Sequence, residues 1–390
     1  VPPSVPPSVP PSVPPSVPLP VPVINTNDDF AYTREDIKAN WAKEANPVLL
    51  AQKNTFDHAN AKVIEDISEI ERNIDKNPDL LNTMRGLINC GNTCYMNAIL
   101  QALLHSKHLA YFFYHSNFSG SSEFSKNMGD FFKTYYNSTK NEIVDTQAVV
   151  DLRRKKLSDF FAPGDEADAG EYLTILLDKL SEEIDRREKD KLNNTDIRED
   201  KQKIFDFYRN KHFSGVYEYS LINYLFTRWD KEYKICAKSR DVPYVWFSYS
   251  LNNLLPVPIE AKKKRLEELV RSYQQAHDIT DPNYYVKCPD SRKREKFTKK
   301  QSFYNLPGVG RSGYLVVQIK RFERKKTTNK TKKIAVPIKL PLNLSFVADN
   351  KSKSSFSLYA TVNHHGSFAG GHYTAYVKSA DDKWFHANDR

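Results

Sequence analysis

The sequence predicts an α+β fold on three observations. After Cys94 the apolar residues Met96, Ile99, Leu100, Leu103 and Leu104 recur at threes and fours, the spacing of a helix with one buried face. Two later runs, Tyr244–Leu251 and Tyr314–Phe322, are rich in β-branched and aromatic residues and predict strands. Helical and strand-like runs also follow one another without the regular alternation of a doubly wound sheet. At 390 residues, 39% hydrophobic and 12% aromatic, the chain can build a large core in one or two domains.

Residues 1–25 are a Pro-rich arm, in which Val-Pro-Pro-Ser repeats four times and half of the 22 prolines fall within the first 22 positions. Such a stretch lacks backbone donors and adopts polyproline II, which serves as a stiff tether or as a ligand for a proline-binding module. It opens on Val1 rather than Met, which suggests that residue 1 is not the natural start of translation. A helical extension follows at 26–85, where Val63, Ile64, Ile67, Ile70 and Ile74 are spaced at threes and fours among acids and lysines. The first glycine of the chain is Gly86, and Gly86-Leu-Ile-Asn-Cys-Gly marks the opening of a new domain that runs to 390. Within it a helix starts near Thr93, Tyr172–Ile184 is a second amphipathic helix and Leu266–Gln275 a third. Near the end, Tyr373–Lys378 and Lys383–Ala387 predict two strands joined by the turn Ser-Ala-Asp-Asp.

Four cysteines, at 90, 94, 236 and 288, are too few for a disulfide scaffold and no secretion signal opens the chain, so an intracellular protein in cytoplasm or nucleus is expected. No run approaches the roughly 20 apolar residues of a membrane span. The net charge of +10 and the basic runs Lys262–Arg265, Ser291–Lys300 and Lys325–Lys333 raise a nucleic-acid reading. Aromatic residues are not interleaved with these lysines as a stacking platform requires, so the runs read as solvated loops.

Cys94 falls in the first turn of its helix, where unpaired N–H groups and the positive dipole end favour a thiolate and predict a lowered pKa. The preceding Asn-Cys-Gly-Asn-Thr offers backbone donors and an Asn side chain where an oxyanion can form. A cysteine nucleophile needs a base and an orienter. Both occur 278 residues later, in the terminal hairpin. A turn centred on residue 380 requires strand partners whose numbers sum to about 760, which sets His372 opposite Asn388, or opposite Asp389 in a register one longer. Gly370 and Gly371 leave the backbone there room for a close approach.

These residues resemble a known family. Gly86-Leu-Ile-Asn-Cys-Gly-Asn-Thr-Cys-Tyr-Met-Asn-Ala-Ile-Leu-Gln is similar to the cysteine box of the ubiquitin-specific proteases. Asn363-His364, Gly-Gly-His-Tyr-Thr-Ala-Tyr and Trp384-Phe-His-Ala-Asn-Asp resemble their histidine box. Asp165-Glu-Ala-Asp-Ala-Gly-Glu-Tyr-Leu looks like the family's acidic helix start, and Tyr314-Leu-Val-Val-Gln-Ile-Lys-Arg-Phe like its central strand. The likeness implies a papain-like architecture with a thumb at about 86–212, fingers at about 213–300 and a palm at about 301–390.

The resemblance implies Cys94 as nucleophile, His372 as base and Asn388 as third member, with Asp389 as substitute or supporting partner and Asn89 stabilising the oxyanion. Cys90 falls at a variable position and is a passenger. The reaction implied is hydrolysis after the C-terminal glycine of ubiquitin through a thioester, with ubiquitin and ubiquitinated proteins as partners and no cofactor in the chemistry. Asp168 and Glu171, three apart on one helix face, match acids that contact ubiquitin's basic tail, and His364, Gly370, Gly371 and Tyr373 join them as substrate-binding positions.

Two departures from the family pattern carry expectations. Where many members have two Cys-x-x-Cys pairs for a structural zinc, this chain has Cys236-Ala-Lys-Ser and Cys288-Pro-Asp-Ser, so no zinc and fingers held by packing are expected. The chain also stops at Arg390, where family members continue with further strands, which reads as a C-terminal truncation beside Asn388. The competing expectation is a ubiquitin-binding scaffold with a misaligned site.

Overall fold

The computed structural model describes residues 47–118, 123–139, 142–161, 166–185, 220–236, 244–260, 262–279, 282–287, 294–305, 313–324, 331–347, 353–368 and 370–389. The Pro-rich arm and Cys288 lie outside them. The α+β expectation holds.

Among the described residues seven helices build the thumb: α1 (Pro47–Lys76), α2 (Cys94–Leu104), α3 (Lys107–His115), α4 (Glu123–Asn137), α5 (Gln147–Lys156), α6 (Ala169–Glu183) and α7 (Leu221–Phe226). Their apolar faces share one core, in which Leu100, Leu104, Phe113, Phe132, Val150, Leu177 and Leu225 are fully buried. The periodic face read in the extension is part of that core except for Ile64, which is exposed. Val63, Ile67, Ile70 and Ile74 of α1 are buried in it, each burial contributing roughly 1.5–3 kcal/mol. The glycine boundary at Gly86 is therefore not a break in packing. It begins β1 (Gly86–Leu87), which pairs in parallel with β2 (Ile143–Val144).

In the fingers, β3 (Arg228–Cys236) lies between β4 (Tyr244–Asn252) and β9 (Phe297–Asn305), with β6 (His277–Ile279) beyond β9. A short ladder of β7 (Val286–Lys287) and β8 (Arg294–Glu295) adjoins in sequence. At the base of β3, the buried Arg228 guanidinium donates to both carboxylate oxygens of Asp230, at 2.9 and 2.8 Å.

The palm departs from the expected boundaries. β5 (Leu254–Pro258) pairs in parallel with β10 (Val316–Lys320), and α8 (Leu266–Tyr273) packs beside them. Both β5 and α8 fall inside the range expected for the fingers, yet Leu255, Val257, Leu266, Leu269 and Val270 are buried with Phe346 in the palm core. Residues 221–226 likewise belong to the thumb, because Leu221, Ile222, Leu225 and Phe226 are buried there. The palm also carries the ladders of β11 (Phe322–Arg324) with β12 (Thr331–Lys333) and of β13 (Asn343–Val347) with β14 (Lys353–Ser357). Its last sheet has the order β15 (Ala360–Ser367), β16 (Gly370–Lys378), β17 (Trp384–Ala387).

Thumb and palm meet through small side chains. Ala98 of α2 packs with Ala375 and Val377 of β16, all buried. A small residue at this crossing lets the cysteine helix approach the histidine strand closely.

Candidate active site

The loop before α2 is folded around one amide oxygen. Asn89 Oδ1 accepts from the N–H groups of Gly91 at 3.0 Å and Thr93 at 3.3 Å, and from the Thr93 hydroxyl at 3.1 Å. The Thr93 hydroxyl in turn accepts from Cys90 N–H at 3.0 Å. Gly91 (φ 88°) and Asn92 (φ 51°) occupy the left-handed region, a conformation that glycine and asparagine tolerate best. This tight turn delivers Cys94 to the first position of α2, with Thr93 as N-cap and only 5% of Cys94 exposed. Cys90 faces the β2 side instead, with its sulfur 3.5 Å from Thr146 Oγ1.

Backbone N–H groups of Tyr373 and Tyr95 point at the Cys94 sulfur and favour its thiolate. Burial nevertheless outweighs them and pushes the thiol above its ordinary value, with the carboxylates of Asp389 and Glu166 adding to the rise. The lowered pKa expected from the helix start is thus reversed, because the whole first turn is desolvated.

His372 and Asn388 meet, by a different register from the one expected. Ala375 lies opposite Ala387, so partner numbers sum to 762 rather than 760, and the paired ladder ends there. The turn is longer than read: Ser379 N–H donates to Lys383 C=O, and Asp382 takes φ 64°. Continued in this register, Asn388 would face Thr374, which makes it the diagonal neighbour of His372 on the same face. Its Oδ1 lies 2.6 Å from His372 Nε2. An amide oxygen only accepts, so Nε2 carries the proton and Nδ1 has the lone pair.

Asp389 is held from the thumb. Its carboxylate accepts from Asn89 Nδ2 at 2.9 Å and Asn97 Nδ2 at 3.1 Å, and its carbonyl from Leu87 N–H at 2.5 Å. Its Oδ2 is 3.9 Å from His372 Nε2, beyond hydrogen-bonding distance. Asn388 is therefore the imidazole's direct partner, and Asp389 ties the hairpin end to the cysteine loop. Pocket-lining residues Leu87, Asn97, Ala98, Gln101, Tyr373, Ala387 and Asp389 converge at this junction.

The acidic segment borders the same strand. Asp168 caps α6 by accepting from Glu171 N–H at 3.0 Å, and Gln318 Nε2 donates to it at 3.3 Å. Asp168 thus precedes the helix as its side-chain N-cap rather than sharing its face. Burial, then the Asp168 charge, raises the pKa of Glu171. The Tyr373 hydroxyl lies against Ala169 N–H, and burial pushes it upward. The His364 and Tyr373 rings lie 4.7 Å apart. Gly371 has no room for a side chain, since a Cβ would come within 2.3 Å of His364 Nε2 and of His365 O.

Two residues of this arrangement were missed at the level of sequence. Glu166 accepts from Gly371 N–H at 3.1 Å and so spans thumb and palm, but in the sequence it is one acid in a run of acids. Asn97 sits on the buried face of α2 and is 2% exposed, and nothing local distinguishes it from a helix-face polar residue. Among the described residues no group of three or more His, Cys, Asp and Glu side chains converges as a metal site. Among the described residues no helix is long and apolar enough to cross a membrane.

A helix-borne cysteine set against a strand-borne histidine with an asparagine partner, on thumb and palm lobes, is the arrangement of the papain-like cysteine peptidase class. The chain belongs to the ubiquitin carboxyl-terminal hydrolase family, whose profile matches residues 85–390. It is 29% identical over 329 residues to ubiquitin carboxyl-terminal hydrolase 2 of Bos taurus, covering 78% of this chain and 51% of that one. It is also 29% identical over 316 residues to ubiquitin carboxyl-terminal hydrolase Usp2 of Drosophila melanogaster, covering 78% of this chain and 32% of that one. It thus spans about half or less of the length of these relatives. Its fold is similar to that in the SAGA Ubp8/Sgf11/Sus1/Sgf73 module bound to monoubiquitin, with a TM-score of 0.60, 19% identity, and 80% of this chain and 65% of that chain covered. The same module bound to ubiquitin aldehyde gives a TM-score of 0.59 at 20% identity, with 80% and 65% covered.

Proposed function

We propose that this chain is a deubiquitinating thiol hydrolase that cleaves the peptide or isopeptide bond after the C-terminal glycine of ubiquitin. The observation that carries the reading is the 2.6 Å contact of His372 Nε2 with Asn388, on a strand whose next residue, Tyr373, presents its N–H to the Cys94 sulfur. With Nε2 committed to Asn388, Nδ1 is the nitrogen that takes the thiol proton. Because burial keeps Cys94 a neutral thiol, proton transfer to His372 accompanies attack on the glycine carbonyl rather than preceding it.

The attack forms a carbon–sulfur bond and a tetrahedral oxyanion. N–H groups in the first turn of α2 have no intrahelical partners and stabilise it, together with the Asn89 amide N–H that Asp389 does not engage. Collapse breaks the carbon–nitrogen bond, and the leaving lysine amine takes the proton from His372. Water, deprotonated by His372, then attacks the thioester. It frees the ubiquitin carboxylate and returns the proton to Cys94.

Asp168, Glu171 and Glu166 give the approach to Cys94 a local negative charge that suits a basic tail, although the chain as a whole carries +10. His364, Gly370, Gly371 and Tyr373 border that approach and leave room for a diglycine. No metal or cofactor takes part, and the protein acts inside the cell, in cytoplasm or nucleus. The Pro-rich arm tethers the enzyme or engages a proline-binding module.

The test is hydrolysis of a ubiquitin C-terminal fluorogenic amide. Turnover by this chain and its loss in Cys94→Ala support the reading. Ubiquitin binding without turnover in the unaltered chain favours a scaffold instead.

A further inference from the structure

The basic run Lys325–Lys333 reads as solvated loop, but its last residue, Lys333, is half-buried beside the exposed Lys332. It ends β12, opposite Phe322, and turns its ammonium to the strand pair that carries His372. The nitrogen lies 3.0 Å from His364 Nδ1, 2.8 Å from His364 C=O and 3.0 Å from Gly366 C=O. A lysine ammonium has three donors and no acceptor, and here each donor meets one acceptor. The Phe322 ring lies 5.9 Å from the ammonium and 5.9 Å from His364, closing one side of the cluster.

The acceptors it gathers are structurally demanding. Gly366 sits at φ +120°, and Gly370 C=O would be 2.6 Å from a Cβ there. Its ladder partner is Gly371, while His365 pairs with His372. Lys333 therefore grips β15 at the residues paired with Gly371 and Tyr373 of β16.

We propose that Lys333 is a positioning residue for substrate binding: its ammonium clamps the β15 end of the hairpin and fixes His364 as the tautomer with its N–H on Nε2, facing Gly371. This rests on the hydrolase reading above, in which His364 and Gly371 border the path of the ubiquitin tail. A donor on Nδ1 occupies the lone pair that would otherwise take a proton. The groups facing His364 are Lys333 from β12, with Arg321 behind it, His365 on its own strand, Tyr373 from β16, and Asp168 and Glu166 from the thumb. Burial and the Lys333 charge depress His364, and the two acids oppose them. Removing the ammonium takes away one of the influences that depress His364, so its pKa rises, while burial still holds it down. With no donor on Nδ1, the ring is free to turn from its Nε2–H orientation towards Gly371 and takes up a proton more readily than in the unaltered chain.

The test compares the full chain with Lys333→Met, with Lys333→Met/His364→Gln, and with Lys332→Met as the control at the exposed neighbouring position. With the fluorogenic ubiquitin amide at neutral pH, Lys333→Met raises KM roughly tenfold, the loss expected for charge-assisted hydrogen bonds, and changes kcat little. Its KM also gains a dependence on acid pH as the released His364 protonates, and this added limb is absent in the double variant and in the Lys332→Met control. A Lys333→Met enzyme with the wild-type KM and pH profile, or one altered only in melting temperature, overturns the proposal. Histidine-selective nitrogen NMR reads the same claim without turnover. It expects an Nε2–H form of His364 in the unaltered chain and a ring that protonates at higher pH in Lys333→Met. A His364 that titrates alike in both also overturns it. Failure of the hydrolase reading is separate, seen as no turnover by the unaltered chain or turnover that survives Cys94→Ala.

Discussion

His372 and Asn388 are sixteen residues apart and join through one 2.6 Å contact between Nε2 and Oδ1, although the paired ladder that brings them together stops at Ala375 and Ala387. The contact holds the imidazole with its proton on the nitrogen away from the thiol. Asn388→Ala is expected to lower kcat about a hundredfold while KM changes little, as measured by steady-state hydrolysis of the ubiquitin amide. A change confined to KM would assign Asn388 to binding instead.

The buried, acid-flanked Cys94 predicts a resting enzyme without a thiolate–imidazolium pair. Inactivation by iodoacetamide should accelerate with pH up to and beyond the ordinary thiol range, without a plateau under acidic conditions. Asp389 adds to the rise in the Cys94 pKa, so Asp389→Asn removes a like charge and shifts the profile to lower pH. An acid plateau in the unaltered chain would contradict this account.

Acid stability follows from two buried imidazoles in the thumb. His105 and His108 are both lowered to about 4, by burial first, and at His108 also by Lys107. The unfolded chain, with histidines near 6.5, binds more protons between these values, so stability is full above about pH 6.5 and is lost as pH falls towards 4. The loss is on the order of 3 kcal/mol per histidine, and urea midpoints across this pH range measure it. His105→Asn should flatten the slope.

At the base of the fingers, Arg228→Met leaves the Asp230 carboxylate buried without its cation. A destabilisation of about 3–5 kcal/mol is expected, largely restored when Asp230→Leu is added. Denaturant unfolding of the single and double variants checks it.

Much of the site was legible in the sequence because its parts are local. The helix after Cys94 announces itself by apolar spacing, and the terminal hairpin by two strand-like runs around a polar turn. What stayed hidden depends on contacts distant in the chain. Glu166 matters through a backbone N–H 205 residues away, and Asn97 through a carboxylate 292 residues away. The register was misjudged because the left-handed Asp382 lengthens the turn, and a single such residue moves every partner number. The sign of the Cys94 shift was missed because burial, unlike a helix start, has no local signature. The lobe boundaries moved because β5, α7 and α8 are assigned by the core they enter rather than by their place in the chain.

The central claim is that Cys94, and not Cys90 four residues before it, is the nucleophile that receives ubiquitin. The most direct measurement is reaction of the chain with ubiquitin bearing a C-terminal electrophile, followed by intact-mass analysis of the unaltered chain, Cys90→Ser and Cys94→Ser. One ubiquitin adduct on the unaltered chain and on Cys90→Ser, with none on Cys94→Ser, is the expected result. An adduct that persists in Cys94→Ser, or none on the unaltered chain, would contradict it.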